Sequence, residues 1–146
     1  RERLEEEVIE MIVSSKGRYA LRVMIDLAQH DNGELISLKD IAKRQEISMK
    51  YLEIIVGILN RGGMLISGRG KKGGYRLKYR TEEYTVGSIL KLTEKTLAPV
   101  NCPEIGNACC ERAERCITLP LWRKLDAMIE EYLDGITLKD LLEGNV

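Results

Sequence analysis

Between Ile36 and Leu59, apolar residues recur at helical spacing in two short runs. Leu38, Ile41 and Ala42 give the first run one face to bury, and Leu52, Ile55, Val56 and Leu59 form a stripe along the second. Ser37 stands where an N-cap belongs, with Asp40 three residues on to complete a weak capping box, and Ser48 offers a second N-cap. Gln45-Glu46-Ile47 breaks the pattern between the two runs. This predicts two helices joined by a tight turn, with Lys50, Tyr51, Glu53 and Ile54 left off the apolar stripe of the second. After Gly62-Gly63 the period changes. Met64 to Ser67 is short, apolar and strand-like, and Tyr75, Leu77 and Tyr79 alternate with Arg76, Lys78 and Arg80 as in a half-buried return strand. The connection between them, residues 68–74, is rich in glycine and lysine, as the tip of a wing would be.

Helical patterns flank this centre. Ser14 to Gln29 carries Tyr19, Val23, Met24, Leu27 and Ala28 on one face, with Lys16, Arg18 and Arg22 toward its start. Thr85 to Leu97 reads as another helix, with Val86, Ile89, Leu90 and Leu92 inward and Ala98-Pro99 as its end. Leu119 to Leu133 is a long amphipathic helix with Pro120 in its first turn and Gly135 as C-cap. Its stripe of Leu121, Leu125, Met128, Ile129, Tyr132 and Leu133 is wider than one short partner needs, which predicts pairing with a second copy; folding back on its own domain is the alternative. Thr137 begins a last short helix that ends at Leu141-Leu142.

The 146 residues suffice for one domain with an appended dimerisation element, and no apolar run approaches the roughly 20 residues of a membrane span. No signal peptide is visible, so the cytoplasm is expected and a membrane is not. A formal net charge of zero conceals an asymmetry. Without residues 1–10, which hold two Arg and five Glu, the chain has 21 basic and 18 acidic side chains, a charge of +3. From Arg61 to Arg80 there are seven Lys or Arg and no acid. Such a hairpin alone is as often a solvated face, but beside a helix-turn-helix it predicts contact with phosphates. The N-terminal side chains of a second helix reach base edges, which places Lys50 and Glu53 there. The fold expected is mainly α with a small β wing: a winged helix-turn-helix DNA-binding domain plus a long dimerisation helix. Residues 1–10 read as an N-terminal extension ahead of Met11, 11–100 as the DNA-binding domain, 101–118 as a cysteine-rich loop, and 119–146 as the dimerisation and C-terminal helices.

All four cysteines, Cys102, Cys109, Cys110 and Cys116, fall within fifteen residues. In a reducing compartment such a cluster suggests metal, iron–sulfur or thiol redox chemistry before a structural disulfide. The spacing lacks the paired CxxC knuckles of a zinc ribbon, which ranks an iron–sulfur centre first, a thiol switch second, zinc third and inert cysteines last. His30, the single histidine, is far away in sequence and reads as a surface residue near a helix C-terminus. A thiol oxidoreductase would need CxxC at a helix start, and a nucleotide-binding enzyme a Gly-rich strand-to-helix loop. Neither is present, so catalysis is not expected.

The segments SKGRYALRVMIDLA at 15–28, SLKDIAKRQEIS and YLE within 37–53, RG and GGY within 69–75, and LW with ITL and DLL within 121–142 resemble the iron–sulfur cluster regulator family. Its members include a cluster-biogenesis regulator, a nitric-oxide-sensing repressor and a cysteine-metabolism repressor. The resemblance implies a homodimeric repressor on a pseudo-palindromic double-stranded operator, with the long helix crossing to its partner. It implies that Lys50, Glu53 and Arg69 reach bases, that Ser48 and Tyr51 meet the DNA backbone, and that Lys71 and Lys72 belong to the same wing. It further implies a [2Fe-2S] or [4Fe-4S] cluster, lost on purification in air, with Cys102, Cys110 and Cys116 as ligands and Cys109 competing for the middle place. Two departures stand out. The family's known fourth ligands, a histidine and an acidic residue of the first helix, correspond here to Leu119 and Arg18.

Overall fold

The computed structural model describes residues 13–100 and 113–146. Cys102, Cys109, Cys110 and the extension at 1–10 lie outside the described residues.

Each predicted helix start has a physical cause. Helix α1 (Ser15–Gln29) begins where the Ser14 hydroxyl accepts the Gly17 N–H at 3.2 Å. Helix α2 (Leu38–Gln45) is capped by Ser37, which accepts the Asp40 N–H; no return bond from Asp40 completes a capping box. Glu46 then turns left-handed (φ 53°), and Ser48 accepts the Tyr51 N–H to start α3 (Met49–Arg61). These three helices bury Ala20, Val23, Met24, Leu27, Ile41, Leu52, Ile55, Val56 and Leu59 in one core.

A buried charge joins α1 to the helix-turn-helix. Asp26 is fully buried, and Arg44 grips both of its carboxylate oxygens at 2.7 and 3.0 Å while the Gln45 amide donates at 2.9 Å. Gln45 also receives Arg22, whose guanidinium lies 5.0 Å from the centre of the Tyr19 ring. Arg22 is thereby committed within the fold.

The wing is a hairpin of β1 (Leu65–Gly68) and β2 (Gly74–Leu77), antiparallel, with Leu65 opposite Leu77 and Gly68 opposite Gly74. Its third member had no counterpart in the sequence pattern. Ile36, just ahead of α2, pairs with Tyr75 through two backbone bonds of 2.9 Å. Gly74 permits this approach: its φ is 151°, and a Cβ there would stand 2.0 Å from the Ile36 carbonyl oxygen. The return strand stops at Leu77, and Tyr79, expected half-buried, is exposed. Beyond Leu77 the pairing fades to a 3.4 Å bond from the Lys78 N–H to the Met64 carbonyl. Instead the Lys78 and Tyr79 N–H groups donate at 2.9 and 3.0 Å to the hydroxyl of buried Tyr84, which donates to the Met64 carbonyl at 2.6 Å.

Helix α4 (Val86–Thr93) is shorter than its apolar pattern suggested. It ends because Glu94 adopts extended geometry and turns its carboxylate onto Ser14, taking bonds from the Ser14 N–H at 3.0 Å and hydroxyl at 2.6 Å. Helix α5 (Leu119–Gly135) includes Gly135, and Ile136, not the glycine, is its cap. Helix α6 (Leu138–Glu143) then returns to the winged head. Thr137 bridges Thr85, and Leu138 is fully buried in the main core. Lys91 of α4 holds Asp134 at 3.2 Å and Glu130 at 3.6 Å, bracing the C-terminal end of α5.

Candidate nucleic-acid interface and cysteine segment

Helix α3 buries one side completely and shows the other to solvent. Leu52, Ile55, Val56 and Leu59 are inaccessible, whereas Lys50, Glu53, Ile54 and Arg61 are exposed. Ser48 is occupied with the helix cap, so its backbone geometry is fixed and its side chain remains at the surface. Tyr51 differs from its neighbours: it is half-buried, its ring packed edge-on against Tyr19 at 5.7 Å. That contact ties the start of α3 to α1.

The wing tip carries Arg69, Lys71 and Lys72, all exposed, around a turn closed by the Gly73 N–H on the Gly70 carbonyl at 2.9 Å. The other cations of the hairpin are less free. Arg76 donates to the Gly33 carbonyl at 2.6 Å, and Lys78 stands 5.5 Å from the centre of the Tyr79 ring. The structure therefore leaves two groups exposed on the head, the outward residues of α3 and three cations at the wing tip. The supports that sequence reasoning missed are Asp26, Ile36 and Tyr84. Only Asp26 carried a sequence signal, as a lone acid within the apolar face of α1.

Of the cysteines, Cys116 alone is among the described residues. It lies just ahead of α5, half-buried, with its sulfur 3.4 Å from the Thr118 hydroxyl. That hydroxyl, assisted by the Thr118 and Leu119 N–H groups, holds its thiol below the ordinary range. A thiol inclined to ionise fits ligation of a soft iron centre in its chemistry. Leu119 is a buried hydrocarbon side chain and Arg18 a guanidinium cation with no lone pair to give, so neither supplies a donor atom. Among the described residues no three His, Cys, Asp or Glu side chains come together as a metal site. His30 caps α1 with its Nδ1 2.9 Å from the Asp26 carbonyl. No described helix is long and apolar enough to cross a membrane.

A capped helix turned outward beside a cationic hairpin on a three-helix core makes a winged helix-turn-helix, the architecture of a DNA-binding transcriptional regulator. A family model described as Iron-dependent Transcriptional regulator (Rrf2) matches residues 13–144, and the chain belongs to that family. Protein rrf2 of Nitratidesulfovibrio vulgaris is 37% identical over 132 residues, spanning 90% of this chain and 87% of that protein. The HTH-type transcriptional regulator IscR of Aliivibrio salmonicida is 38% identical over 135 residues, spanning 92% and 79%. Among solved structures, T. potens IscR superposes with a TM-score of 0.72 at 36% identity, covering 94% of this chain and 90% of that one. CymR, the global cysteine regulator of B. subtilis, superposes with a TM-score of 0.73 at 37% identity, covering 88% and 94%.

Proposed function

We propose that the chain works in the cytoplasm as a homodimeric repressor that reads a pseudo-palindromic duplex and reports iron–sulfur, nitric oxide or redox status through a bound cluster. Lys50 and Glu53 meet base edges, Ser48 and Tyr51 the backbone beside them, and Arg69, Lys71 and Lys72 carry the wing onto DNA. Cys102, Cys110 and Cys116 hold a [2Fe-2S] or [4Fe-4S] cluster, with Cys109 either the fourth ligand or a bystander. When bound, the cluster supplies iron that responds to oxidants and nitric oxide. The domain plan is a head of 11–100, a ligating segment of 101–118, and a pairing helix from 119 onward whose last turns pack on the head.

The observation that carries the reading is the placement of Cys116. Its thiol is held toward the thiolate one step ahead of α5, the helix whose Leu121, Leu125, Met128 and Tyr132 remain exposed along one side. Ligation there links a cofactor to the pairing helix. The test is anaerobic reconstitution of the whole protein and of single Cys→Ala variants, with iron, sulfide and duplex binding measured together. Loss of iron at positions 102, 110 and 116, with altered duplex affinity, supports the reading. Full iron retention by Cys116→Ala sinks it. A second reading, a cluster-free thiol or cysteine-metabolism repressor, draws on the similarity to CymR. Wild-type protein that takes up no iron yet binds DNA would favour that alternative.

A further inference from the structure

Helix α3 has an outward line that polar readout alone does not explain. Lys50, Ile54, Gly57 and Arg61 recur four, three and four residues apart, opposite the buried stripe of Leu52, Ile55, Val56 and Leu59. Ile54 sits on this line with 47% of its surface exposed. Isolated exposed apolar residues are ordinary on a protein surface. This one lies between Lys50 and Arg61 on the outward line of the helix.

Gly57 makes the place more particular. A glycine inside a helix costs about 1 kcal/mol relative to alanine. Here it leaves room for the Arg61 side chain, whose guanidinium Nη1 would stand 3.2 Å from any Cβ at that position. Arg61 folds over Gly57, and Ile54 projects next to it with no side chain at 57 between them. A side chain so placed enters the major groove with the helix, and the apolar group that the major groove offers is the thymine C5-methyl.

We propose that Ile54 is a specificity-determining residue, its side chain packing on a thymine methyl in each half-site. This rests on the reading of α3 as the helix that enters the major groove. The salt-dependent part of affinity, which the wing cations supply, stays separate from it.

The experiment selects duplexes from a random pool with the full chain, then replaces each thymine of the selected half-site singly with deoxyuridine. At one position per half-site, loss of the methyl lowers wild-type affinity about three- to fivefold, the size expected for burying one methyl group. Ile54→Ala binds the thymine and uracil duplexes alike at that position, while its salt dependence and its thermal unfolding match the wild type. If wild-type protein binds every uracil variant as well as the parent, or if Ile54→Ala keeps the methyl preference, the proposal is overturned while DNA reading stands. If the selection enriches no duplex, the reading of α3 falls and the proposal with it.

Discussion

Replacing Tyr84 with phenylalanine removes one oxygen and leaves the ring. That oxygen joins both ends of the wing: it donates to the Met64 carbonyl ahead of β1 and accepts the Lys78 and Tyr79 N–H groups after β2. Three hydrogen bonds at about 0.5–1.5 kcal/mol each set the scale, and buried groups left unpaired cost toward the upper end. Two facts lower the figure. Lys78 keeps a weak 3.4 Å bond to the Met64 carbonyl, and the Lys78 and Tyr79 side chains are exposed, so water reaches the backbone nearby. The expected loss is about 2–3 kcal/mol. With a urea slope of roughly 1–3 kcal/mol per molar, the midpoint falls by about 0.7–3 M and the slope is unchanged. Protein concentration is held fixed, because self-association would add to apparent stability. A second signature is alkaline. Burial pushes the Tyr84 phenol up, against the opposing pull of the two N–H donors. A raised folded-state pKa means the contribution is full below the ordinary tyrosine value and is lost as pH climbs through the raised one. Tyr84→Phe lacks that alkaline loss. A midpoint change equivalent to less than about 0.5 kcal/mol would show that water replaces the hydroxyl and that the wing does not depend on it.

Other outcomes follow from neighbouring features. Burial alone would raise the Asp26 carboxyl, but bonds from Arg44 and Gln45 and the Arg44 charge outweigh it and hold the group below its usual value. Its stabilising contribution is thus present above the unfolded carboxylate pKa of about 3.9 and is lost as pH falls through the lower folded value, so an acid titration of Asp26→Asn should be flatter than that of the wild type below about pH 4. Arg69→Ala should cost on the order of 1–3 kcal/mol in duplex binding and relax base preference, whereas Lys72→Ala should weaken all sequences alike and lower the salt slope by about one. Glutamate at both Leu125 and Met128 should yield monomers by solution mass measurement, since charges in an apolar seam lack partners; a pair variant that keeps the wild-type mass refutes the α5 seam.

The residues that repeat were legible, and the residues that touch across the fold were not. Ser14, Ser37, Ser48 and Thr137 announced helix starts because an N-cap is a local bond, and the buried stripe of α3 followed from helical period alone. Ile36 gave no sign of pairing with Tyr75, because a single bridge has no period. Glu94 looked like part of a longer helix, and only its bond to Ser14, eighty residues away in sequence, explains why α4 stops. Tyr79 kept the alternation of a strand, but strand length is set by the partner, and the partner ends at Leu65. At the candidate interface, the exposure of Lys50, Glu53 and the wing tip was legible from charge and position. The close approach of Arg61 over Gly57 was not, since it depends on where the Arg61 side chain lies.

Helix α5 is tied to the head at its C-terminal end. Its C-terminal turns are held to the head by Lys91, the Thr85–Thr137 bridge and buried Leu138, while its opposite end begins three residues after Cys116. Its 17 residues make an arm about 25 Å long at 1.5 Å per residue. A tilt of about 10° at the root carries the far end through roughly 4 Å, by the geometry of a rigid rod of that length. Run in reverse, a displacement of a few ångströms at the cysteine end reaches the head as a rotation of a few degrees.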